Sequence, residues 1–250
     1  MTILITGASV GFGKAACKLF VENGYKVIGS ARRIEKLNAL KNELGENFLP
    51  LPMDMTDKNS INNALSQIPP EWQDIELLVN NAGLALGLEP AYKCDFADWE
   101  QMIATNVLGL TYLTRQILPK MVERKKGHII NIGSVAGTYP YPGGNVYGAT
   151  KAFVKQFSRN LRADLAGTKV RVSNIEPGLC GDTEFSNVRF KWDNDKAAQV
   201  YENVEFVKPE DIAEIILWIF RQPEYVNINS IEVMPVAQSY SALSIYREQD

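Results

Sequence analysis

Thr2-Ile3-Leu4-Ile5-Thr6-Gly7-Ala8-Ser9-Val10-Gly11-Phe12-Gly13-Lys14 sets the architecture of this chain. Five strand-favouring residues run into three spaced glycines. A helical pattern follows from Lys14 to Asn23, with apolar Ala15, Leu19 and Phe20, and Gly24 placed to cap it. Strand, glycine turn and helix open a nucleotide-binding βα unit. Gly7, Gly11 and Gly13 remove side chains, so backbone can approach a pyrophosphate. The helix N-terminus then offers free N–H groups and a partial positive charge. The spacing is G-x-x-x-G-x-G, not the standard G-x-G-x-x-G, and an ordinary tight turn is the alternative reading.

Outward from that turn, strand and helix signals alternate to the end of the chain. The further strands are expected at Tyr25–Ser30, Phe48–Met53, Ile75–Asn80, Gly127–Ile132, Lys169–Ile175 and Ser230–Met234. Several are nearly continuous apolar runs, as strands buried on both faces are. Helices are expected at Ile34–Leu44, Asp98–Lys126, Val146–Ala166 and Pro209–Phe220. The expectation is an α/β chain of one domain over residues 1–250, with a parallel sheet, right-handed crossovers and helices on both faces. Ligands of such sheets bind at the carboxyl ends of the strands, where the motifs fall.

The bulk numbers agree. With 250 residues, 46% of them hydrophobic, the chain can bury one sizeable core. Lys and Arg total 26 against 29 Asp and Glu, a net charge of -3 that argues for neither nucleic acid nor an anionic membrane as partner. Cys17, Cys94 and Cys180 are scattered and odd in number, which reads as reduced thiols in a cytoplasmic protein. Met1 leads straight into the first strand, which leaves no room for a signal peptide. The apolar run from Ile212 to Phe220 is too short to span a bilayer.

The second strand runs into Ala31-Arg32-Arg33, two arginines with no acid. A guanidinium suits a ribose 2′-phosphate, whereas ribose hydroxyls call for a carboxylate, so the cofactor reads as NADP. A solvated basic start to the next helix is the alternative. Asp54, between Met53 and Met55, is placed to accept from an adenine amino group. Asn80-Asn81-Ala82-Gly83 ends the fourth strand in a loop suited to lie against a cofactor, although Asn there is also ordinary turn chemistry.

Tyr147 and Lys151 are four apart on a helix whose apolar stripe is read as Ala149, Phe153, Phe157, Leu161 and Leu165. A phenol with a pKa of about 10 is a poor base at neutral pH, and a neighbouring ammonium would lower it. Ser134 follows the fifth strand, where its hydroxyl can orient a substrate oxygen. Asn106 is a poor mid-helix residue. It is read as marking a kink or placing a water toward Lys151, with solvent exposure as the alternative. Gly7-Ala8-Ser9-Val10-Gly11 also fits the nucleophile elbow of hydrolases. That chemistry needs a histidine base, and the one histidine, His128, starts a strand.

Taken together, Thr6 to Gly13, Asn80 to Gly83, Asn106, Ser134, Tyr147, Lys151 and Pro177-Gly178 resemble the ordered motifs of the short-chain dehydrogenases/reductases over nearly the whole chain. The resemblance implies a single-domain Rossmann fold with a seven-stranded parallel sheet, hydride transfer with a nicotinamide, and a catalytic set of Asn106, Ser134, Tyr147 and Lys151. It implies cofactor contacts from Gly7, Ser9, Gly11, Phe12, Gly13, Arg32 and Arg33. Asp54, Met55, Asn81, Ala82, Gly83, Pro177, Gly178 and Thr183 would add to them, with Tyr147 and Lys151. No metal is implied. Glu176 to Leu179, Thr183 to Lys191 and Val226 to Asn229 resemble members acting with NADP on small 3-hydroxy acids, among them serine, threonine, 3-hydroxyisobutyrate and 3-hydroxypropionate. Those members imply a homotetramer and a substrate lid over residues 178–208. A substrate carboxylate suits a bidentate arginine, and Arg189 lies in that lid, with an ordinary surface arginine as the alternative. Two other functions share the fold: a nucleotide-sensing regulator, expected to lack the tyrosine or the lysine, and an epimerase or dehydratase, which needs a further substrate domain.

Overall fold

The computed structural model describes residues 1–240. Its sheet has seven strands in the order β3-β2-β1-β4-β5-β6-β7, and every pairing is parallel. The strands are β1 Thr2–Thr6, β2 Lys26–Ala31, β3 Phe48–Pro52, β4 Ile75–Asn80, β5 Gly127–Ile132, β6 Val170–Pro177 and β7 Ser230–Val233. Each lies within two residues of its expected position. Period-two alternation feeds both faces. Ile3, Ile5, Leu77, Val79, Ile130 and Ile132 point into one core, and Leu4, Leu78 and Ile129 into the other.

The first face is covered by α1 Gly11–Glu22, α2 Ile34–Leu44 and α9 Pro209–Phe220. Phe20, Leu37, Leu40, Ile212 and Ile216 are their buried contributions. The second face carries α3 Lys58–Ser66, α5 Leu110–Glu123 and α6 Asn145–Asp164, through Ile61, Leu113, Ile117, Met121 and Leu161. Truncating a fully buried residue such as Leu78 to Ala would cost about 2–5 kcal/mol, because transfer and cavity costs add.

Three expectations are corrected. The sequence reading contained no α3; Asp57 caps it by accepting from the Asn59 N–H. The long helix expected at Asp98–Lys126 is α4 Phe96–Ile103, a π-helical stretch at Ala104–Gly109, then α5. The stripe assigned to α6 is right toward its C-terminal end, where Leu161 and Leu165 are buried and Phe157 packs on the core, and wrong at its start. Ala149 and Phe153 are exposed, and Phe153 stacks on Phe157 with centroids 5.7 Å apart. The inward face carries Tyr147, Thr150, Lys151, Val154, Ser158 and Leu161. A largely polar inward face marks a site built into the helix packing.

The strand order reverses between β1 and β4, and the loops leaving their carboxyl ends face each other there. Among the described residues no helix is long and apolar enough to cross a membrane.

Candidate active site

A cavity of about 910 Å³ opens at this end of the sheet, a volume within the range of small-molecule sites. Its floor is the glycine turn. Helix α1 begins at Gly11 rather than at Lys14, so Gly11, Phe12 and Gly13 form its first turn. The N-cap is Val10, whose side chain caps nothing, and the first turn holds no acid. The N–H groups there are left for an anion. Gly7 and Gly11 take positive φ of 68° and 52°, a region costly for other residues. A Cβ at Gly13 would strike the Gly7 carbonyl oxygen.

Asn81 fixes this turn to β4. Its side-chain amide donates to the Thr6 carbonyl at 2.8 Å and the Gly7 carbonyl at 3.3 Å. The Thr6 hydroxyl accepts from the Asn81 and Ala82 N–H groups at 3.0 and 2.9 Å. Ser9, Phe12, Asn81, Ala82 and Gly83 all line the cavity, and Phe12 also packs on the core.

At the far corner stand Arg32, exposed, and Arg33, half-buried, with no acid at the end of β2. Arg33 donates to the Ser9 hydroxyl at 3.1 Å and pairs with Glu184 at 2.8 Å. Lys36, one turn into α2, pairs with the other Glu184 oxygen at 2.6 Å. Neither Lys36 nor Glu184 is among the site residues expected from the sequence. Lys36 was findable as the i+3 neighbour of Arg33; nothing local points to Glu184. Asp54 lines the cavity with one carboxylate oxygen already accepting from the Thr56 N–H and hydroxyl, at 2.9 and 2.8 Å. Met55 is buried beside it, and a Cβ at Gly109 would collide with its carbonyl.

Tyr147, Ser134 and Lys151 converge at the near end. Ser134 leaves β5 and is held by its own loop: its hydroxyl donates to the Pro177 carbonyl at 3.3 Å and accepts from the Ala136 N–H at 3.1 Å. Lys151 is buried, and its ammonium donates to the Ile132 carbonyl at 2.8 Å. The ammonium lies 5.8 Å from the centre of the Tyr147 ring. Burial pushes Tyr147 up to about 12, while the Ser134 hydroxyl and the Arg189 charge pull it down. Burial draws Lys151 down to about 8. Arg189 is a cation, not named in that role from the sequence, that also favours loss of the Tyr147 proton.

Asn106 sits in the π-helical stretch and is 2% exposed, so the helix is irregular there and solvent exposure is ruled out. Its amide closes on Leu84, accepting from the backbone N–H at 2.9 Å and donating to the carbonyl at 2.8 Å. It also donates to the Thr150 hydroxyl at 3.1 Å. Asn106 thus joins the loop after β4 to α6, one residue before Lys151. Extra-wide helical turns of this kind often occur at functional sites.

Beyond Pro177 and Gly178 the chain crosses the cavity. Thr183 packs over Gly11, where a Cβ would stand 3.0 Å from its methyl carbon. Helices α7 Phe185–Arg189 and α8 Asn194–Gln199 follow. Phe185 lies against the Tyr147 ring at 5.7 Å. The Arg189 guanidinium stands 5.4 Å from the ring centres of Tyr147 and Tyr141, donating to the Tyr141 hydroxyl and to the Gly87 carbonyl. Arg189 is therefore no ordinary surface arginine. Tyr141 and Phe185, neither expected as a site residue, complete its aromatic cage. The hydrolase reading fails on geometry. The Ser9 hydroxyl is held by Arg33, while His128 is buried at the start of β5 against Ser173, at 2.9 Å.

This fold and this cavity define a nucleotide-binding oxidoreductase class, and the chain belongs to the short chain dehydrogenase family, whose model matches residues 1–194. Among individual proteins it is 62% identical over 248 residues to a probable NADP-dependent dehydrogenase of Haemophilus influenzae, covering 99% of this chain and 98% of that one. An NADP-dependent 3-hydroxy acid dehydrogenase of Salmonella typhimurium is 59% identical, with 99% and 100% covered. The solved closed form of a serine dehydrogenase complexed with NADP+ is 56% identical and superposes with a TM-score of 0.98, over 99% of this chain and 100% of that one.

Proposed function

We propose that this protein is an NADP-dependent oxidoreductase that transfers hydride between the cofactor and the 3-hydroxyl of small 3-hydroxy acids such as serine. The observation that carries it is the convergence, on one cavity, of an uncapped helix N-terminus, a basic corner at Arg33 and a buried Tyr147 phenol beside Ser134 and Lys151. The named activities of the relatives support it. The residues present fit the cofactor. Gly11 to Gly13 would hold the pyrophosphate, Arg32 and Arg33 the 2′-phosphate, and Lys151 the nicotinamide ribose. NADP supplies or accepts the hydride when bound.

The chain's own residues handle the proton. With a pKa of about 12, the Tyr147 phenol is protonated at neutral pH in the free protein and ready to act as an acid in carbonyl reduction. For alcohol oxidation it must lose that proton, which Ser134 and Arg189 both favour. Lys151, at about 8, exchanges protons close to working pH. Ser134 orients the substrate oxygen. Asn106 acts through structure, fixing Leu84 and Thr150. Residues 178–208 form the lid, and Arg189 within it clamps the substrate carboxylate. The exposed Phe153, stacked on the half-buried Phe157, supports burial of that α6 face between subunits of a homotetramer.

A panel of 3-hydroxy acids assayed with NADP and with NAD, followed by nicotinamide absorbance, tests the reading. Turnover with NADP and L-serine is expected; none with any member would instead leave a nucleotide-sensing role. Arg189→Met should lower kcat/KM for a hydroxy acid about tenfold to a hundredfold more than for a neutral alcohol. An equal loss for both would remove Arg189 from carboxylate binding.

A further inference from the structure

The ion pairs of Glu184 join two parts of the molecule that chemistry usually treats apart. Both its carboxylate oxygens are taken by cations of the β2–α2 corner: Arg33 at 2.8 Å and Lys36 at 2.6 Å. The Arg33 nitrogen that meets Glu184 also donates to Ser9 in the glycine turn. Glu184 is the residue on which α7 begins, and α7 carries Phe185 against Tyr147 and Arg189 above it. One carboxylate therefore ties the lid's first turn to the corner that reads the ribose phosphate. The other side of the lid is fastened by the Gly87 N–H donating to the Arg189 carbonyl at 2.9 Å, and by Lys191 with Asp98 at 2.9 Å.

We propose that Glu184 is a positioning residue that holds the lid closed by sharing Arg33 and Lys36 with the cofactor's 2′-phosphate, and that Lys36 belongs to that phosphate subsite. The proposal rests on the NADP reading above. Its charge balance has a definite sign. Two cations face one carboxylate, and an arriving phosphate adds negative charge to the same corner. Neutralising Glu184 leaves both cations to the phosphate and lets α7 go. Cofactor binding and lid closure should then move in opposite directions, which a residue that merely supports the fold would not cause.

Glu184→Gln in the full-length protein tests this with three measurements. These are calorimetric Kd values for NADP and NAD without substrate, the rate of trypsin cleavage after Lys191 in the NADP-saturated protein, and KM for L-serine. The NADP Kd is expected to fall by about twofold to fivefold, with NAD unchanged within about twofold. Cleavage and KM are each expected to rise about fivefold or more. A NADP Kd that stays level or rises while KM rises, or a cleavage rate within about twofold of wild type, would overturn the latch. Lys36→Met is the second variant: NADP should weaken about tenfold and NAD hardly at all. Equal weakening of both would take Lys36 out of the subsite. Binding and cleavage need no turnover. A wild-type protein that oxidises no 3-hydroxy acid therefore sinks the proposed activity without touching this result.

Discussion

Replacing Lys151 with Met should erase a pH-dependent penalty from the free protein's stability while abolishing turnover. Lys151 is 7% exposed, has the Ile132 carbonyl as its hydrogen-bond partner, and forms no ion pair among the described residues. Burial takes its pKa from 10.5 to about 8. The folded value lies below the unfolded one, so the folded chain holds this proton less tightly. The penalty is complete below pH 8 and fades as pH rises toward 10.5. At about 1.4 kcal/mol per pKa unit it amounts to about 3 kcal/mol. Met carries no such proton, but it leaves the Ile132 carbonyl without its donor, a pH-independent loss of about 1–3 kcal/mol. The two nearly cancel at neutral pH, so the pH dependence is the clean signal. Urea unfolding of both proteins from pH 7 to 10.5 should show the variant losing about 3 kcal/mol relative to wild type across that range. A difference constant to within about 0.5 kcal/mol would refute the reasoning, because it would mean that Lys151 keeps its ordinary affinity for the proton inside the fold.

Tyr147→Phe should lower kcat/KM by about a hundredfold to ten-thousandfold and leave the calorimetric NADP Kd within about twofold, since only the proton donor is lost. A loss of cofactor binding of the same size would show that the phenol anchors rather than reacts. Lys155→Met should destabilise the protein by about 3 kcal/mol, read as a fall in Tm of roughly 6–12 °C. The reason is that Glu176, 1% exposed, would lose its 2.7 Å partner and remain buried as a charge. A Tm within about 2 °C of wild type would mean that Thr138, Asn174 and Ser230, the other groups bonded to Glu176, suffice to hold it.

Strands such as β1 and β4 were legible because a strand buried on both faces must be apolar almost throughout, and that run needs no partner to be recognised. The glycine turn was equally legible, since Gly7 and Gly11 adopt backbone angles that only glycine takes readily. Helix α3 was hidden by its composition: Lys58, Asn59, Asn62 and Asn63 face outward, and only Ile61 and Ala64 are buried. The phase of α6 was misread for the opposite reason. At its start Ala149 and Phe153 lie outward, while Tyr147, Thr150 and Lys151, which line up with the chemistry, pack inward. Tyr147, Ser134 and Lys151 could be named in advance, but their electrostatic coupling could not. It depends on Arg189, 42 residues further along than Tyr147, swinging back over the ring (189 − 147). Glu184 meets Lys36 across 148 residues of sequence, a distance over which no local pattern operates.

The wide turn at Ala104–Gly109 makes two rods of what would otherwise be one. A single added residue in a helix shifts its angular phase by about 100°. Below the break, α5 aims Leu113, Ile117 and Met121 at the sheet. Above it, α4 is free to turn Met102 toward Leu84, Ala85 and Tyr147 instead. Shortening this stretch by one residue would bring the two rods back into step, so that α4 would follow the alignment of α5. The wall behind Tyr147 would then rotate away, with every strand of the sheet left in its place.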